Sequence, residues 1–132
     1  LWPDHCVQGT RGAEFAPALK QELIQAVFRK GSDPAVDSYS AFSDNAGRNP
    51  TGLDGYLRAR GVKRIYLAGL ALDYCVRWSA LDARRLLPEA EVCVIVDATR
   101  PVDLAAGAEA AREMERAGAR MVSSREVLEG RA

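Results

Sequence analysis

The sequence predicts an α/β fold in which helices cover both faces of a doubly wound parallel sheet, giving three layers. Two observations predict it. Apolar segments of strand-like composition alternate along the chain with segments of helical period, which is typical of repeated βαβ units. Residues 91–96 form an almost continuous apolar run, as expected for a central parallel strand that is buried on both faces. We expect residues 1–132 to form a single domain.

Local signals predict the individual elements. Residues 13–23 form a partly helical lead-in, residues 24–30 a strand, and residues 31–50, rich in Ser, Asp, Asn, Gly and Pro, a loop that forms part of a site. A helix follows at 51–60, with Thr51 as N-cap and Gly61 after its end. The remaining elements are a strand at 64–69, an amphipathic helix at 74–87, a strand at 91–96 with an exit loop at 97–101, a helix at 102–117 that starts near Asp103, a strand at 120–123, and a helix at 124–128 capped by Ser124.

Composition excludes several classes of function. The formal net charge is zero, so the chain lacks the basic surface that nucleic-acid binding requires, and we expect no nucleic-acid partner. No apolar run approaches the roughly 18 residues that a membrane span needs, so we expect no membrane partner. Three cysteines, an odd number without CxxC spacing, argue against a disulfide framework and for the cytoplasm.

The segment from Arg64 to Cys75 has the layout of an acyl-transfer site. An apolar strand enters a turn containing Gly69, and Cys75 follows where a helix begins. The positive end of the helix dipole favours a nucleophilic thiolate there, and backbone N–H groups of the turn can stabilise an oxyanion. A buried structural thiol is the commoner role for a single cysteine, so this pattern alone leaves both open.

Two further residues strengthen the hypothesis of a catalytic site. Lys30 ends the predicted strand at 24–30, at the edge where ligands bind in open α/β sheets. His5 is the single histidine of the chain and stands beside Trp2 and Pro3. Taken singly, a solvated lysine and a hydrogen-bonded structural histidine are the simpler interpretations.

Together these segments resemble the nicotinamidases, which are isochorismatase-like cysteine hydrolases. The resemblance runs through nearly the whole chain in the order of the family. The matching segments are Trp2-Pro3-Asp4-His5-Cys6-Val7-Gln8-Gly9-Thr10, Arg29-Lys30-Gly31, Val36-Asp37-Ser38-Tyr39-Ser40-Ala41-Phe42 and Gly69-Leu70-Ala71-Leu72-Asp73-Tyr74-Cys75-Val76.

The resemblance implies a role for each catalytic residue. Cys75 is the nucleophile, Lys30 stabilises its thiolate, and the backbone N–H groups of Ala71 and Cys75 form the oxyanion hole. The family also has a cis peptide bond in this turn, which falls between Leu70 and Ala71 here. The family usually carries threonine where this chain has Leu72, so no role that needs a hydroxyl is expected there.

The resemblance also implies a metal and a substrate. His5 corresponds to a metal-binding histidine of the family, with zinc expected first and iron or manganese as alternatives. Trp2, Tyr39 and Tyr74 are candidates for the aromatic walls around nicotinamide. The expected reaction, part of NAD salvage and pyridine nucleotide biosynthesis, converts nicotinamide to nicotinate and ammonia through a cysteine thioester.

One part of the family pattern lies upstream of these segments. The family's catalytic aspartate, and the aspartate and histidine that supply its first metal ligands, precede the position at which this sequence starts. We therefore expect the chain to be the C-terminal portion of a nicotinamidase and to be inactive alone. A related cysteine amidohydrolase acting on another small amide, or an inactive small-molecule binding domain, are the alternatives. The sequence is compatible with a homo-oligomer and does not decide that question.

Overall fold

The computed structural model describes residues 2–132, and its centre is a parallel sheet of three strands in the order β1-β2-β3. The strands are β1 (Arg64–Leu70), β2 (Glu91–Arg100) and β3 (Arg120–Val122). The α-helices are α1 (Leu53–Ala59), α2 (Arg77–Leu86), α3 (Leu104–Arg116) and α4 (Ser124–Leu128). Two short 3-10 turns cover Arg11–Ala13 and Gln21–Leu23, and a π-helical turn at Leu72–Val76 runs directly into α2.

The central strand β2 is covered on both faces. Val92 and Val94 point into a core built with Ala80 and Ala83 of α2 and Met114 of α3. The intervening side chains of β2 point the other way, because successive side chains of a strand alternate between faces. Cys93 accordingly packs in a second cluster with Val122 of β3 and Val127 of α4. This confirms the predicted class, a parallel sheet between helical layers.

The second half of the sheet departs from the predicted boundaries. Leu67 pairs with Val94 and Gly69 pairs with Thr99, so β2 contains extra residues at an irregularity in the register. Beyond it Leu70 still pairs with Arg100. The predicted exit loop at 97–101 is therefore wrong for residues 97–100, which continue the strand. A bulge of this kind bends and twists a strand near its end, where sites commonly lie.

The predicted strand at 24–30 is wrong. These residues have no regular secondary structure and belong to no strand of the sheet described for residues 2–132. Their apolar pattern suits a strand, but a strand also needs a neighbour whose backbone groups can pair with its own. The partly helical lead-in predicted at 13–23 contains no α-helix and ends in one of the 3-10 turns.

The helix caps follow the predictions with shifts of one residue. The hydroxyl of Thr51 accepts a hydrogen bond from Leu53 N at 3.3 Å, although the N-cap position itself belongs to Gly52. Asp103, which the sequence placed near the start of a helix beginning at residue 102, is the N-cap of α3 and accepts from Ala106 N. The cap of α4 is Ser123 rather than Ser124, in a capping box. Within residues 2–132 no helix has the length and apolar character needed to cross a membrane.

Candidate active site

The turn after β1 presents Cys75. The peptide bond between Leu70 and Ala71 is cis, which confirms the prediction. The carbonyl of Ala71 then accepts hydrogen bonds from Tyr74 N at 3.2 Å and Val76 N at 3.0 Å, closing a wide turn of helix. π-Helical turns of this kind are frequent at functional sites. Cys75 lies on this turn with its side chain partly exposed and unpaired with another cysteine.

Asp73 fastens this turn to the start of α3. Its side chain is buried, with 4% exposed, and accepts hydrogen bonds from Val102 N at 3.0 Å and Asp103 N at 3.1 Å. The packing there is close, because a Cβ on Gly107 of α3 would lie 2.5 Å from the Cβ of Pro101. Asp73 therefore supports the turn.

Lys30 reaches Cys75 from a distant part of the chain. Its Nζ lies 3.8 Å from Cys75 Sγ, across a separation of 45 residues. The same ammonium donates a hydrogen bond to the carbonyl of Ser38. An ammonium at this distance stabilises a thiolate by charge attraction. The structure thus brings together the lysine and cysteine that the sequence singled out.

Three aromatic side chains gather beside the cysteine turn. Trp2 Nε1 donates a hydrogen bond to the hydroxyl of Tyr39 at 3.3 Å. The ring of Tyr74 makes edge-to-face contacts with Trp2, at 5.0 Å between centroids, and with Tyr39, at 5.5 Å. Trp2 keeps 40% of its surface exposed. The three candidates for substrate contact therefore form one cluster, defined here as the aromatic cluster, in which Tyr74 directly precedes Cys75 in the chain.

His5 is exposed and oriented by its own segment. Its Nδ1 lies 2.8 Å from the carbonyl of Pro3, which leaves Nε2 as the nitrogen that can bind a metal. A histidine held by a backbone carbonyl in this way is common among metal ligands. Residues 2–132 contain no group of three or more His, Cys, Asp or Glu side chains arranged to hold a metal. The described residues thus supply one suitable donor and not a complete metal site.

The other two cysteines differ in their surroundings, and the exposure of Cys6 does not fit the packing role that its position in the sequence suggests. Cys93 is fully buried in β2, and burial raises the pKa of its thiol. Cys6 is exposed next to His5, with a positive φ of 49°. The side-chain contacts of Lys30 are with Ser38 and Cys75 and not with either of these two cysteines.

Sequence reasoning missed Ser79, whose hydroxyl contacts the backbone of the nucleophile. Ser79 Oγ donates to Cys75 O at 2.6 Å and accepts from Ala41 N at 2.9 Å. The first contact has a recognisable signal, since a serine inside a helix often bonds the carbonyl four residues earlier. The second joins residues 38 positions apart and has no signal in the sequence.

The sequence and the fold can be compared with those of known proteins. The profile of the Isochorismatase domain family matches residues 1–126. The chain belongs to the isochorismatase domain family. It is 43% identical to the nicotinamidase of Acinetobacter baylyi over 129 residues, which are 97% of this chain and 59% of that protein. The chain thus spans little more than half the length of this curated relative.

Two solved structures have a similar fold. The L. infantum protein PnC1 in complex with nicotinate superposes with a TM-score of 0.87 at 40% identity, covering 94% of this chain and 61% of that one. The pyrazinamidase of Pyrococcus horikoshii in complex with zinc gives a TM-score of 0.78 at 36% identity, covering 93% of this chain and 63% of that one.

Proposed function

We propose that the complete protein containing this chain is a nicotinamidase, which hydrolyses nicotinamide to nicotinate and ammonia. The observation that carries the proposal is the 3.8 Å contact between Lys30 Nζ and Cys75 Sγ beside the aromatic cluster. A nucleophile, a stabilising cation and a flat apolar surface are what hydrolysis of an aromatic amide requires. The similarity to a curated nicotinamidase supports the same activity.

The proposed reaction has two steps. The thiolate of Cys75 attacks the carboxamide carbon, and the N–H groups of Ala71 and Cys75 receive the developing negative charge. The C–N bond then breaks, ammonia leaves with the proton taken from the thiol, and a thioester of nicotinate remains on Cys75. Water hydrolyses the thioester, which releases nicotinate and restores the thiol. By resemblance, the proton carrier is an aspartate that the family places upstream of the segments matched here.

Lys30 and the aromatic cluster act before and during the attack. In this mechanism the Lys30 ammonium attracts the negative charge of the attacking thiolate, and its bond to Ser38 O fixes its position. Trp2 and Tyr39 are proposed to contact the faces or edges of the pyridine ring. The complex of PnC1 from L. infantum with nicotinate supports a flat pyridine ligand in this family. The product nicotinate fits a role in salvage of pyridine nucleotides.

We also propose that His5 is one ligand of a divalent metal, zinc in the first instance. When bound, such a metal would supply an open position for the pyridine nitrogen of the substrate. The free Nε2 of His5 and the zinc complex of the P. horikoshii relative support this assignment. The metal content of purified complete protein should fall on His5→Ala substitution. Unchanged content would remove His5 from the ligand set.

A cytoplasmic location completes the proposal. Its support is chemical, since Cys6, Cys75 and Cys93 are all unpaired among the described residues, and free thiols suit a reducing compartment.

The test compares two cysteine substitutions in the complete protein. Cys75→Ala should lower nicotinamide turnover by about 10⁴-fold or more, because the nucleophile is lost. Cys93→Ala is the matched control, since it removes a thiol from the core of β2, and it should retain activity if the protein remains folded. Nicotinate and ammonia release are measured together. Substantial turnover by Cys75→Ala would refute the mechanism, whereas wild-type activity only on another small amide would favour a related amidohydrolase.

A further inference from the structure

The hydroxyl of Ser79 connects the helix that carries the nucleophile to a separate loop. Ser79 lies on α2 with 6% of its surface exposed. It donates to the carbonyl of Cys75 at 2.6 Å and accepts from the amide of Ala41 at 2.9 Å. A serine that bonds only the carbonyl four residues earlier slightly destabilises a helix. Here the same hydroxyl also satisfies a partly buried backbone amide, which gives it a second function.

The loop that Ser79 holds also positions Lys30. Three residues before Ala41, the carbonyl of Ser38 accepts a hydrogen bond from Lys30 Nζ. That ammonium is in turn 3.8 Å from Cys75 Sγ. The contacts therefore close a ring. It runs from the thiol through Lys30 and the 38–41 backbone to Ser79, and back to the carbonyl of Cys75.

Other hydrogen bonds and buried contacts also hold the 38–41 backbone in place. Thr51 Oγ1 donates to the carbonyl of Ala41 at 2.7 Å, so both polar groups of the Ala41 backbone bond hydroxyl side chains. The next residue, Phe42, is 3% exposed and belongs to the main core. Ser79 thus joins two well-packed segments, and loss of its hydroxyl would let them shift relative to each other.

We propose that Ser79 is a positioning residue that sets the distance between the Lys30 ammonium and the Cys75 thiol. The inference rests on the proposed function, since Lys30 and Cys75 are the reacting pair. The hydrogen bonds of Ser79 go to the backbone carbonyl of Cys75 and to the backbone amide of Ala41, so it acts through the Cys75 backbone and through the loop. Its chemical requirement is a hydroxyl that donates and accepts at the same time.

The test uses the complete protein and four substitutions. Ser79→Ala removes the hydroxyl, Ser79→Thr keeps it, and Ser79→Cys preserves volume with a much weaker hydrogen-bonding group. Threonine is suited to the site because its hydroxyl can bond the carbonyl four residues earlier in a helix. Ser43→Ala is the matched control, since Ser43 Oγ is buried without a hydrogen-bond partner among residues 2–132.

Two measurements separate positioning from general stability. The first is kcat and KM for nicotinamide, together with the thermal midpoint of unfolding. The second is the rate at which iodoacetamide alkylates Cys75 at a fixed pH, which needs no turnover. It can be followed on the tryptic peptide from Ile65 to Arg77, which contains Cys75 and no other cysteine.

Ser79→Ala should lower kcat by about 10- to 100-fold, the scale expected for small misplacement of reacting groups, with a smaller change in KM. Alkylation of Cys75 should slow as well, since the ammonium no longer lies beside the thiolate. Ser79→Thr should behave like wild type, Ser79→Cys like Ser79→Ala, and Ser43→Ala like wild type. If Ser79→Ala does not fold, Ser79→Cys decides the question.

Wild-type kcat and wild-type alkylation in folded Ser79→Ala or Ser79→Cys would overturn the proposal. Equal losses in Ser79→Thr would do so too, because the hydroxyl would then be irrelevant. If the wild-type protein fails to hydrolyse nicotinamide, the proposed function fails, whereas the alkylation rates still judge the role of Ser79.

Discussion

The two parts of the chain are built differently, although both contribute to the candidate site. Residues 2–50, here the extended region, have only two three-residue 3-10 turns as regular structure, and none of residues 2–39 is buried. Residues 51–132, here the sheet region, contain every strand and α-helix described and most of the buried core. The nucleophile belongs to the sheet region, whereas Lys30, His5 and Trp2 belong to the extended region.

This difference shows that the two halves of the site are held in place in different ways. Cys75 is placed by a turn that the core and Asp73 hold from within the sheet region. Lys30 is placed by contacts with Ser38 and with the cysteine itself. A group on a segment without buried side chains of its own depends on such contacts for its geometry. Substitutions in the core of the sheet region should therefore act mainly on stability, and those at the junction of the two regions mainly on the reaction rate.

The largest effect on stability should come from the core of the sheet region. Met114 is fully buried between α3 and the sheet, and Met114→Ala should cost about 2–5 kcal/mol because it removes packing and leaves a cavity. Leu23 in the extended region is 72% exposed, so Leu23→Ala should change stability by no more than about 0.5 kcal/mol. Urea unfolding of the complete protein measures both. A comparable cost for Leu23→Ala would show that the extended region has a core of its own.

The sheet region was largely predictable from the sequence because its signals are local. The apolar run at 91–96, the cap at Asp103 and the turn at Gly69 each specify an element by periodicity or by turn chemistry. In the extended region the apolar pattern at 24–30 suggested a strand. Pairing with a neighbouring strand is a non-local property, so the pattern alone could not establish it.

The candidate site shows the same limit. Cys75 and Lys30 were found from their positions at a helix start and at the end of an apolar segment, and the resemblance to a family linked them. Ser79 was missed because its role depends on a hydrogen bond with Ala41, 38 residues away in the chain. An ordinary serine in an amphipathic helix gives no sign of such a bridge.

The second-largest effect on stability should come from Asp73, which holds the turn that carries Cys75. Asp73→Ala leaves the partly buried amides of Val102 and Asp103 without their acceptor, which should cost about 1 kcal/mol. Asp73→Asn retains one carbonyl oxygen and should cost less. Thermal and urea unfolding measure the loss. If Asp73→Ala instead left stability unchanged and lowered only kcat, Asp73 would act on the reaction rate. The assignment of stability to the sheet region and of rate to the junction of the regions would then be wrong.

The smallest effect is electrostatic and should depend on pH. At the start of β2, the carboxylate of Glu91 accepts hydrogen bonds from Arg120 of β3 and from Arg64 of β1, the latter at 2.6 Å. These bonds hold the pKa of Glu91 below its usual value, with Arg120 the larger cause and Arg64 the next. All three side chains are partly exposed, so salt should weaken the effect.

The sign of the pH dependence follows from the lowered pKa of Glu91. The folded state binds the proton less readily than the unfolded state, so the stabilisation is complete above the unfolded pKa of about 4.3 and is lost as the pH falls through the lower folded pKa. Glu91→Gln should therefore be less stable than wild type at neutral pH, and the difference should shrink on acidification below that value. Glu22→Gln is the control in the extended region, because Glu22 forms no salt bridge with any residue in the described part of the chain. A difference in stability between wild type and Glu91→Gln that stayed constant from neutral to acidic pH, in urea unfolding at low salt, would show that the charge of Glu91 contributes nothing to stability.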